Sequence, residues 1–508
     1  MSHCYFALLA IALASSRASG QGVIWYADGS SKGDMFGQGL AITGDLDGDG
    51  LPELILGARS ASCVVVGDGT VGLFSTSSGE LQHWCGSSET LGFSVDSIQD
   101  IDGDGLNDVV VGGPTWYRSG YGPQCGRVQA FSSATGAVLL EIDGAWPNGW
   151  FGFGVEGLDD LDGDGYPEIL ISTQMNRVYV CSSKDGSVLR YHDGEGTDDV
   201  FGEKTARLRD CDGDGISDYV IHAELSWLGQ FSKGKVYVYS GKDGALLQSW
   251  QGTVSQEYLG IGLADAGDLD GDGLSEILCG DNDGNGHVRA LSVKSGAELF
   301  RVEGEDLYEG FGQFIASVGD MNRDGYPEFI TSALYDDHDG SSAGRVTLFS
   351  GKTLRPLYRY YPGYAHAAFG MRLAAGGDWN RDGIPDIVVS ALGILNKPPK
   401  GGRVSILAGN DLFLQAEPTD PAVGTQTTIE IRGGEPGAVA LLALTDVSGT
   451  PLFLPLVVDL LDANGELSVQ ADVPASASGL QCSLMGYAQR LSGRPRLVDT
   501  SPATISVQ

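Results

Sequence analysis

An acidic phrase that turns abruptly apolar, "GDLDGDGLPELILGA" from Gly44, recurs throughout the chain. The other copies read "QDIDGDGLNDVVVGG" from Gln99, "DDLDGDGYPEILIST" from Asp159, "RDCDGDGISDYVIHA" from Arg209, "GDLDGDGLSEILCGD" from Gly267, "GDMNRDGYPEFITSA" from Gly319 and "GDWNRDGIPDIVVSA" from Gly377. That makes seven copies, 50 to 60 residues apart. A fixed period of this size means one supersecondary unit per copy, either stacked as an array or closed as a ring.

Each copy has the same neighbours. Upstream stands a Phe-Gly or Leu-Gly pair: Phe36-Gly37, Leu91-Gly92, Phe151-Gly152, Phe201-Gly202, Leu259-Gly260, Phe311-Gly312 and Phe369-Gly370. Downstream comes a strand such as "GRVQAF" from Gly126 or "GKVYVYS" from Gly234, a turn such as Thr135-Gly136 or Asp243-Gly244, and a further strand such as "ALLQSW" from Ala245. The unit is four short strands with glycine-rich turns and no helix. Repeated seven times, it predicts an all-β chain built on a seven-bladed β-propeller, whose radial closure protects the sheet edges. A solenoid would need atypical capping repeats, and here the first and last copies resemble the middle ones. The segment "GVIWYADG" from Gly22 matches the fourth-strand segment of other units, so it is expected to supply the outer strand of the last blade.

Length and composition agree with several domains. The 508 residues exceed one ordinary core, and 42% hydrophobic residues with 77 glycines fit a folded, turn-rich β architecture. A formal charge of -36 with no basic patch excludes a nucleic-acid partner. Residues 1–20 read as a signal peptide, from the apolar run "YFALLAIALA" and a cut after Ala18-Ser19-Gly20, so the protein is expected to be exported, extracellular or on the cell surface. No later stretch reaches the ~20 apolar residues of a membrane span. Seven scattered cysteines remain (Cys63, Cys85, Cys125, Cys181, Cys211, Cys279 and Cys482), an odd set without a CxxC, and are read as structural thiols.

In each acidic phrase, oxygen ligands fall at positions one, three, five and nine, with a backbone carbonyl at seven and a glycine at six for the sharp turn. The candidate metal ligands of the first three copies are Asp45, Asp47, Asp49, Leu51 and Glu53; Asp100, Asp102, Asp104, Leu106 and Asp108; and Asp160, Asp162, Asp164, Tyr166 and Glu168. The next two copies offer Asp210, Asp212, Asp214, Ile216 and Asp218, then Asp268, Asp270, Asp272, Leu274 and Glu276. The last two offer Asp320, Asn322, Asp324, Tyr326 and Glu328, then Asp378, Asn380, Asp382, Ile384 and Asp386. Hard oxygen ligands without a rigid octahedron predict calcium, up to seven ions, with magnesium second. Asparagine at position three, followed by Arg323 and Arg381, predicts weaker binding in the last two copies. The β-branched residues after position nine predict a strand there, where an EF-hand would have a helix. "DNDGNGHVRA" from Asp281 begins similarly but has Arg289 at position nine, and reads as a hairpin turn.

The combination of Phe-Gly, DxDGDGxxD/E and a following small-residue segment such as Gly112-Gly113-Pro114 resembles the FG-GAP repeat family, best known from the propeller heads of integrin α subunits. The resemblance covers roughly residues 22 to 408, with leucine for phenylalanine in two blades and a poor small-residue segment at "VIHA" from Val220. It implies a seven-bladed, calcium-binding ring at 21–409, with partner contacts on the face opposite the metal loops.

On that face the connections carry Trp116, Tyr117, Tyr121, Trp146, Trp150, Trp227, Tyr258, Tyr308 and Tyr364. Exposed aromatics on loops of a rigid scaffold suit protein or carbohydrate ligands, and about half of these are expected to be exposed. No catalytic residues are assigned. The histidines His83, His192, His222, His287, His338 and His366 lie in different blades without a recurring partner, and His222 reads as a satisfied core residue. A non-enzymatic binding or adhesion module is therefore expected; a calcium-dependent extracellular polysaccharide lyase or hydrolase is the alternative. From residue 410 to 508 the motif stops, and short alternating strands predict a small immunoglobulin-like β-sandwich.

Overall fold

A computed structural model of the chain describes residues 23–409, apart from residues 32, 62–68, 86–89, 118–121, 197–198, 225–231, 322–324, 382 and 394–400, together with strands between 413 and 506. Every regular element among the described residues is a strand. The expected signal segment, Cys63, Tyr121, Trp227, Asn322, Asp324 and Asp382 lie outside the described residues.

Seven antiparallel four-stranded sheets carry the repeat. Blade 1 runs from its innermost strand outward as Phe36–Ile42, Leu54–Ala58, Thr70–Ser75 and Gly79–Cys85, and blade 2 as Ser94–Ile98, Asp108–Gly113, Arg127–Phe131 and Val138–Asp143. Blade 3 is Val155–Gly157, Glu168–Ser172, Arg177–Ser182 and Val188–Asp193; blade 4 is Phe201–Leu208, Asp218–Ala223, Lys235–Tyr239 and Leu246–Gln251. Blade 5 is Leu263–Gly267, Glu276–Asp281, His287–Leu291 and Glu298–Glu303; blade 6 is Phe311–Gly319, Glu328–Ala333, Arg345–Phe349 and Pro356–Tyr360. Blade 7 takes Phe369–Gly377, Asp386–Ala391 and Arg403–Leu407 from the end of the ring and Val23–Asp28 from its beginning.

Each innermost strand packs against that of the next blade, and the first packs against the last, so the ring is closed. The fastening strand pairs Trp25 with Ile406 and Ala27 with Val404, as the sequence led us to expect. At its end Arg403 makes a two-pronged ion pair with Asp28, 2.6 and 2.8 Å. A second fastening comes from Trp379, whose indole donates to Pro52 O across the seam (3.1 Å).

Among the described residues, each apolar cluster is shared by two adjacent blades. The second strands are apolar on both faces because each face serves a different neighbour. Val109 and Val111 pack with Ile55, Leu73 and Trp84 of blade 1, whereas Val110 packs with Phe151, Ile169 and Ile171 of blade 3. The aromatic of each Phe-Gly pair fills this interblade space, and Leu91 and Leu259 occupy the same position in their clusters. The accompanying glycine answers to two constraints at once, as Gly312 shows. Its φ is +83° and a Cβ there would come within 2.5 Å of His287 O, so backbone would have to move. We predict that Gly312→Ala costs about 2–3 kcal/mol in urea unfolding, by strain at φ > 0 together with the clash. A cost below about 0.5 kcal/mol would contradict this account.

Asp281 and His287 pair across a short turn, so "DNDGNGHVRA" is a hairpin as expected, with Asp281 held by His287 Nδ1 (2.8 Å) and Arg289 Nε (2.6 Å). Cys125, Cys181, Cys211 and Cys279 are buried free thiols. Beyond residue 409, Phe413–Glu417, Gln426–Arg432 and Leu467–Asp472 form one antiparallel sheet. Thr450–Leu460, Val439–Val447, Gln481–Gln489 and Leu497–Asp499 form a second, to which Ala503–Ser506 adds by pairing with Gln481–Gln489.

Candidate metal centres

The acidic phrases are the connections between first and second strands, so all of them emerge on one face of the ring. Their shape is set by hydrogen bonds from the loop's own backbone. In blade 1 the two oxygens of Asp45 accept from Gly48 N and Gly50 N (2.8 Å each), Asp47 accepts from Asp49 N, and Asp49 accepts from Leu51 N. Position nine reaches back to position two, as Glu53 accepts from Leu46 N at 2.6 Å. The same back-bond recurs at Asp108, Glu168, Asp218, Glu276, Glu328 and Asp386.

This wiring gathers carboxylates. One oxygen from each of Asp45, Asp47, Asp49 and Glu53 lies within 4.8 Å of the others. Similar groups form from Asp100, Asp102 and Asp108; Asp160, Asp162 and Asp164; Asp210, Asp212 and Asp218; and Asp268, Asp270 and Glu276. Asp104, Glu168, Asp214 and Asp272 fall outside these tight groups. In blades 6 and 7 the candidates Asp320, Tyr326, Glu328, Asp378, Asn380, Ile384 and Asp386 are described, and Asp320 and Asp378 accept from Gly325 N and Gly383 N as in the other loops; Asn322, Asp324 and Asp382 lie outside the described residues.

Two observations test whether a cation fits. Position nine is buried, and Glu53 Oε1 and Glu168 Oε1 have no hydrogen-bond partner although those residues are only 1% and 0% exposed. An ion would satisfy them. Burial, reinforced by the loop aspartates and opposed by the backbone bonds, pushes Glu53, Glu168 and Glu276 up to about 7, and Asp108 and Asp218 up to about 6. The donor set therefore fits a hard divalent cation, held by the carboxylates already named.

Sequence reading missed how the neighbouring turn between third and fourth strands joins the acidic loop in blades 1, 3, 4 and 5. Lys184, Lys242 and Lys294 reach Asp164, Asp214 and Asp272 at 3.0, 3.8 and 3.0 Å, whereas in blade 1 Ser77 and Ser78 hold Asp49 and Asp47. The signal was present in "SSKDG", "SGKDG" and "SVKSG". Position four also matters: Gly48 sits at φ +79°, and Arg381, its counterpart in blade 7, is held at φ +60°. Its guanidinium crosses the seam to donate to Asp49 O, 2.6 Å. The arginine of the last loop thus braces the first.

The opposite face carries the connections between second and third strands and between blades. Of the aromatics expected there, Tyr117, Trp146 and Tyr308 are exposed, and Tyr335 joins them; Trp116, Trp150, Tyr258 and Tyr364 are half-buried. Trp150 and Tyr258 belong to a device that sequence did not reveal. The residue before each Phe-Gly or Leu-Gly pair (Met35, Thr90, Trp150, Val200, Tyr258, Gly310 and Ala368) has positive φ in all seven blades, which tightens the turn into the next blade. Only one of the seven is glycine, which is why the pattern is hidden.

His222 corrects an expectation. It is buried in the second strand of blade 4, but neither ring nitrogen has a hydrogen-bond partner, and Glu203 is 3.8 Å away. Burial, helped by Lys204, holds it neutral with a pKa of about 3. His192 stacks on Tyr239 (3.9 Å) and meets the Tyr219 hydroxyl at 2.7 Å, a packing role.

Residues 210–279, from the loop of blade 4 through most of the second strand of blade 5, match the FG-GAP-like repeat. The chain is 25% identical over 180 residues to integrin alpha-V of Gallus gallus, covering 32% of this chain and 17% of that protein. It is 26% identical over 222 residues to integrin alpha-5 of Xenopus laevis, with 39% and 21% covered. With integrin alpha-7 of Homo sapiens the identity is 34% over 139 residues, with 26% and 11% covered. The chain therefore spans about a fifth or less of the length of these relatives. The chain is thus a seven-bladed β-propeller that carries an FG-GAP-like repeat at residues 210–279 and is similar over part of its length to integrin alpha chains.

Proposed function

We propose that the protein is an exported, calcium-stabilised propeller that acts as a non-enzymatic binding or adhesion module for a protein ligand. Up to seven calcium ions occupy the loops, through the carboxylates and position-seven carbonyls named from the sequence, including those of blades 6 and 7. Removal of residues 1–20 would leave the fastening strand Val23–Asp28 intact. The two C-terminal sheets pack as an immunoglobulin-like sandwich from residue 410, serving as spacer or second contact.

The observation that carries this reading is where the exposed aromatics fall. Tyr117, Trp146, Tyr308 and Tyr335 all stand on connections of the face opposite the acidic loops, while Tyr191 lies on an outer strand and Tyr326 on the metal face. Rigid aromatic anchors on loops give contact area at little entropic cost. Similarity to integrin alpha chains supports a protein ligand over a glycan. Calcium as the structural ion leaves no carboxylate pair free for glycosidic chemistry in the loops.

The test is retention of ligands by the immobilised full chain in calcium, across panels of extracellular proteins and polysaccharides. A protein ligand is expected, with binding weakened at least tenfold by Trp146→Ala or Tyr308→Ala and unchanged by Tyr191→Ala. Depolymerisation of any polysaccharide, or binding that depends on Tyr191 instead, would overturn the reading.

A further inference from the structure

In a chain this acidic, free cations are the unusual feature. Three converge at one end of the central channel. Lys204 and Arg372, on the innermost strands of blades 4 and 7, stand over the same ring, Phe314 of blade 6, at 4.7 and 5.0 Å from its centroid. Arg59, which follows the second strand of blade 1, stands 5.1 Å over Phe93 of blade 2, and Phe93 packs tilted against Phe153 of blade 3 with centroids 5.0 Å apart. Contacts between blades that are not neighbours, 4 with 6, occur only across the axis. All six residues are half-buried. Each lies at the start of an innermost strand or just past the end of a second strand, so the cluster belongs to the face opposite the acidic loops.

None of the three cations has a carboxylate within ion-pair distance among the described residues. Arg59 Nε is 3.1 Å from Met35 Sδ, a weak acceptor, and Arg372 donates to its neighbour's carbonyl, Met371 O, at 2.8 Å. Glu203, next to Lys204 in sequence, faces His222. The acids deeper in the channel are engaged elsewhere: Asp96 accepts from Gly157 N (2.9 Å) and Glu156 from Thr205 Oγ1 (3.3 Å). Burial and then the neighbouring Arg372 hold Lys204 down to about 8, while burial and then Arg59 hold Arg372 down to about 10. Like charges gathered and desolvated without a counter-ion weaken the fold unless something anionic completes them.

From this geometry we infer that the channel mouth is a docking point for an acidic side chain of a protein partner, its carboxylate held among Lys204, Arg372 and Arg59 and its methylenes against Phe93, Phe153 and Phe314. The phenylalanines decide between an anion borne on a side chain and a free inorganic one. Rings surrounding the charges offer apolar contact that sulfate or phosphate cannot use, whereas the stem of a glutamate can. The inference rests on the proposed binding face only in taking the ligand to be a protein.

The test uses the full chain and a blocked pentapeptide, acetyl-Gly-Leu-Glu-Leu-Gly-amide, with its glutamine twin and sodium sulfate as comparators, followed by ligand-observed NMR at physiological salt. The glutamate peptide is expected to bind at least tenfold more tightly than the glutamine peptide and than sulfate. The double variant Lys204→Met/Arg372→Met is expected to lose that binding at least tenfold while melting no lower than the parent, since it removes unpaired cations and keeps their apolar stems. Equal binding of the two peptides overturns the inference, as does sulfate binding as tightly as glutamate. A variant that melts lower and binds the peptide unchanged overturns it as well, because the cations would then be structural. Loss of the macromolecular ligand on Trp146→Ala, with peptide binding intact, leaves this inference standing, whereas a ligand retained through that face without any peptide binding defeats this inference alone.

Discussion

Chelation of divalent cations with EDTA is expected to lower the melting temperature of the protein by roughly 10 °C or more, and calcium is expected to restore it more effectively than equal magnesium. Ligands that bind only the folded state stabilise it by mass action, about 2.7 kcal/mol per site at a hundredfold excess over Kd. Five loops gather at least three carboxylates within 4.8 Å, so the sites together are worth on the order of 10 kcal/mol. For a ring of this size that corresponds to a shift of roughly 10 °C or more. The effect should act locally too. Asp45→Asn turns one of the two oxygens that accept from Gly48 N and Gly50 N into an amide nitrogen and takes a carboxylate out of the blade 1 group, and should abolish one site while leaving the other loops loaded. Scanning calorimetry with and without chelator, and ion counting on the variant, check both. An unchanged melt in EDTA would sink the metal reading entirely.

Trp25→Ala should open the ring. Trp25 is 7% exposed and packs with Phe36, Leu54, Phe74 and Trp379, so truncation leaves a cavity in an interblade core that joins the two ends of the propeller. Loss of a buried tryptophan side chain costs about 3–5 kcal/mol. By contrast the Arg403–Asp28 pair beside it is 31% and 45% exposed, and Asp28→Ala should cost no more than about 1 kcal/mol. Comparing the two in urea unfolding separates packing from charge as the source of closure. Deleting Val23–Asp28 altogether exposes Arg403–Leu407 as an unpaired edge and should produce aggregation. A Trp25→Ala variant within about 1 kcal/mol of the parent would mean that the seam is held elsewhere.

The two faces of the ring differ in how they could be read beforehand. The acidic loops were legible as a repeat because the fold needs the same turn in every blade, tied by the same bond from position two to position nine. What the register could not show was which carboxylates would converge. Asp214 and Asp272 pair with Lys242 and Lys294 of a separate turn and fall outside their groups, whereas Asp164, paired with Lys184, stays inside its own, so matching motifs do not all give the ligand group of blade 1. His222 was placed correctly inside the blade but wrongly given a partner, because its neighbours belong to other strands.

The sequence by itself determined the seven units, the closing strand and the position of each acidic loop, since these depend on local spacing: acid at alternate positions, a glycine where φ must be positive, apolar residues where two blades meet. The channel mouth was decided only by tertiary structure. The residue two places after each conserved-pattern glycine is Gly39, Ser94, Gly154, Lys204, Gly262, Phe314 or Arg372, so comparing the copies shows only variation there. A repeat fixes where each backbone goes and says nothing of which side chains meet across the axis. Closing the ring brings Arg59, far away in the chain, close enough to Arg372 to add to the effect of burial in holding its guanidinium down, and it is the ring that turns scattered residues into a site.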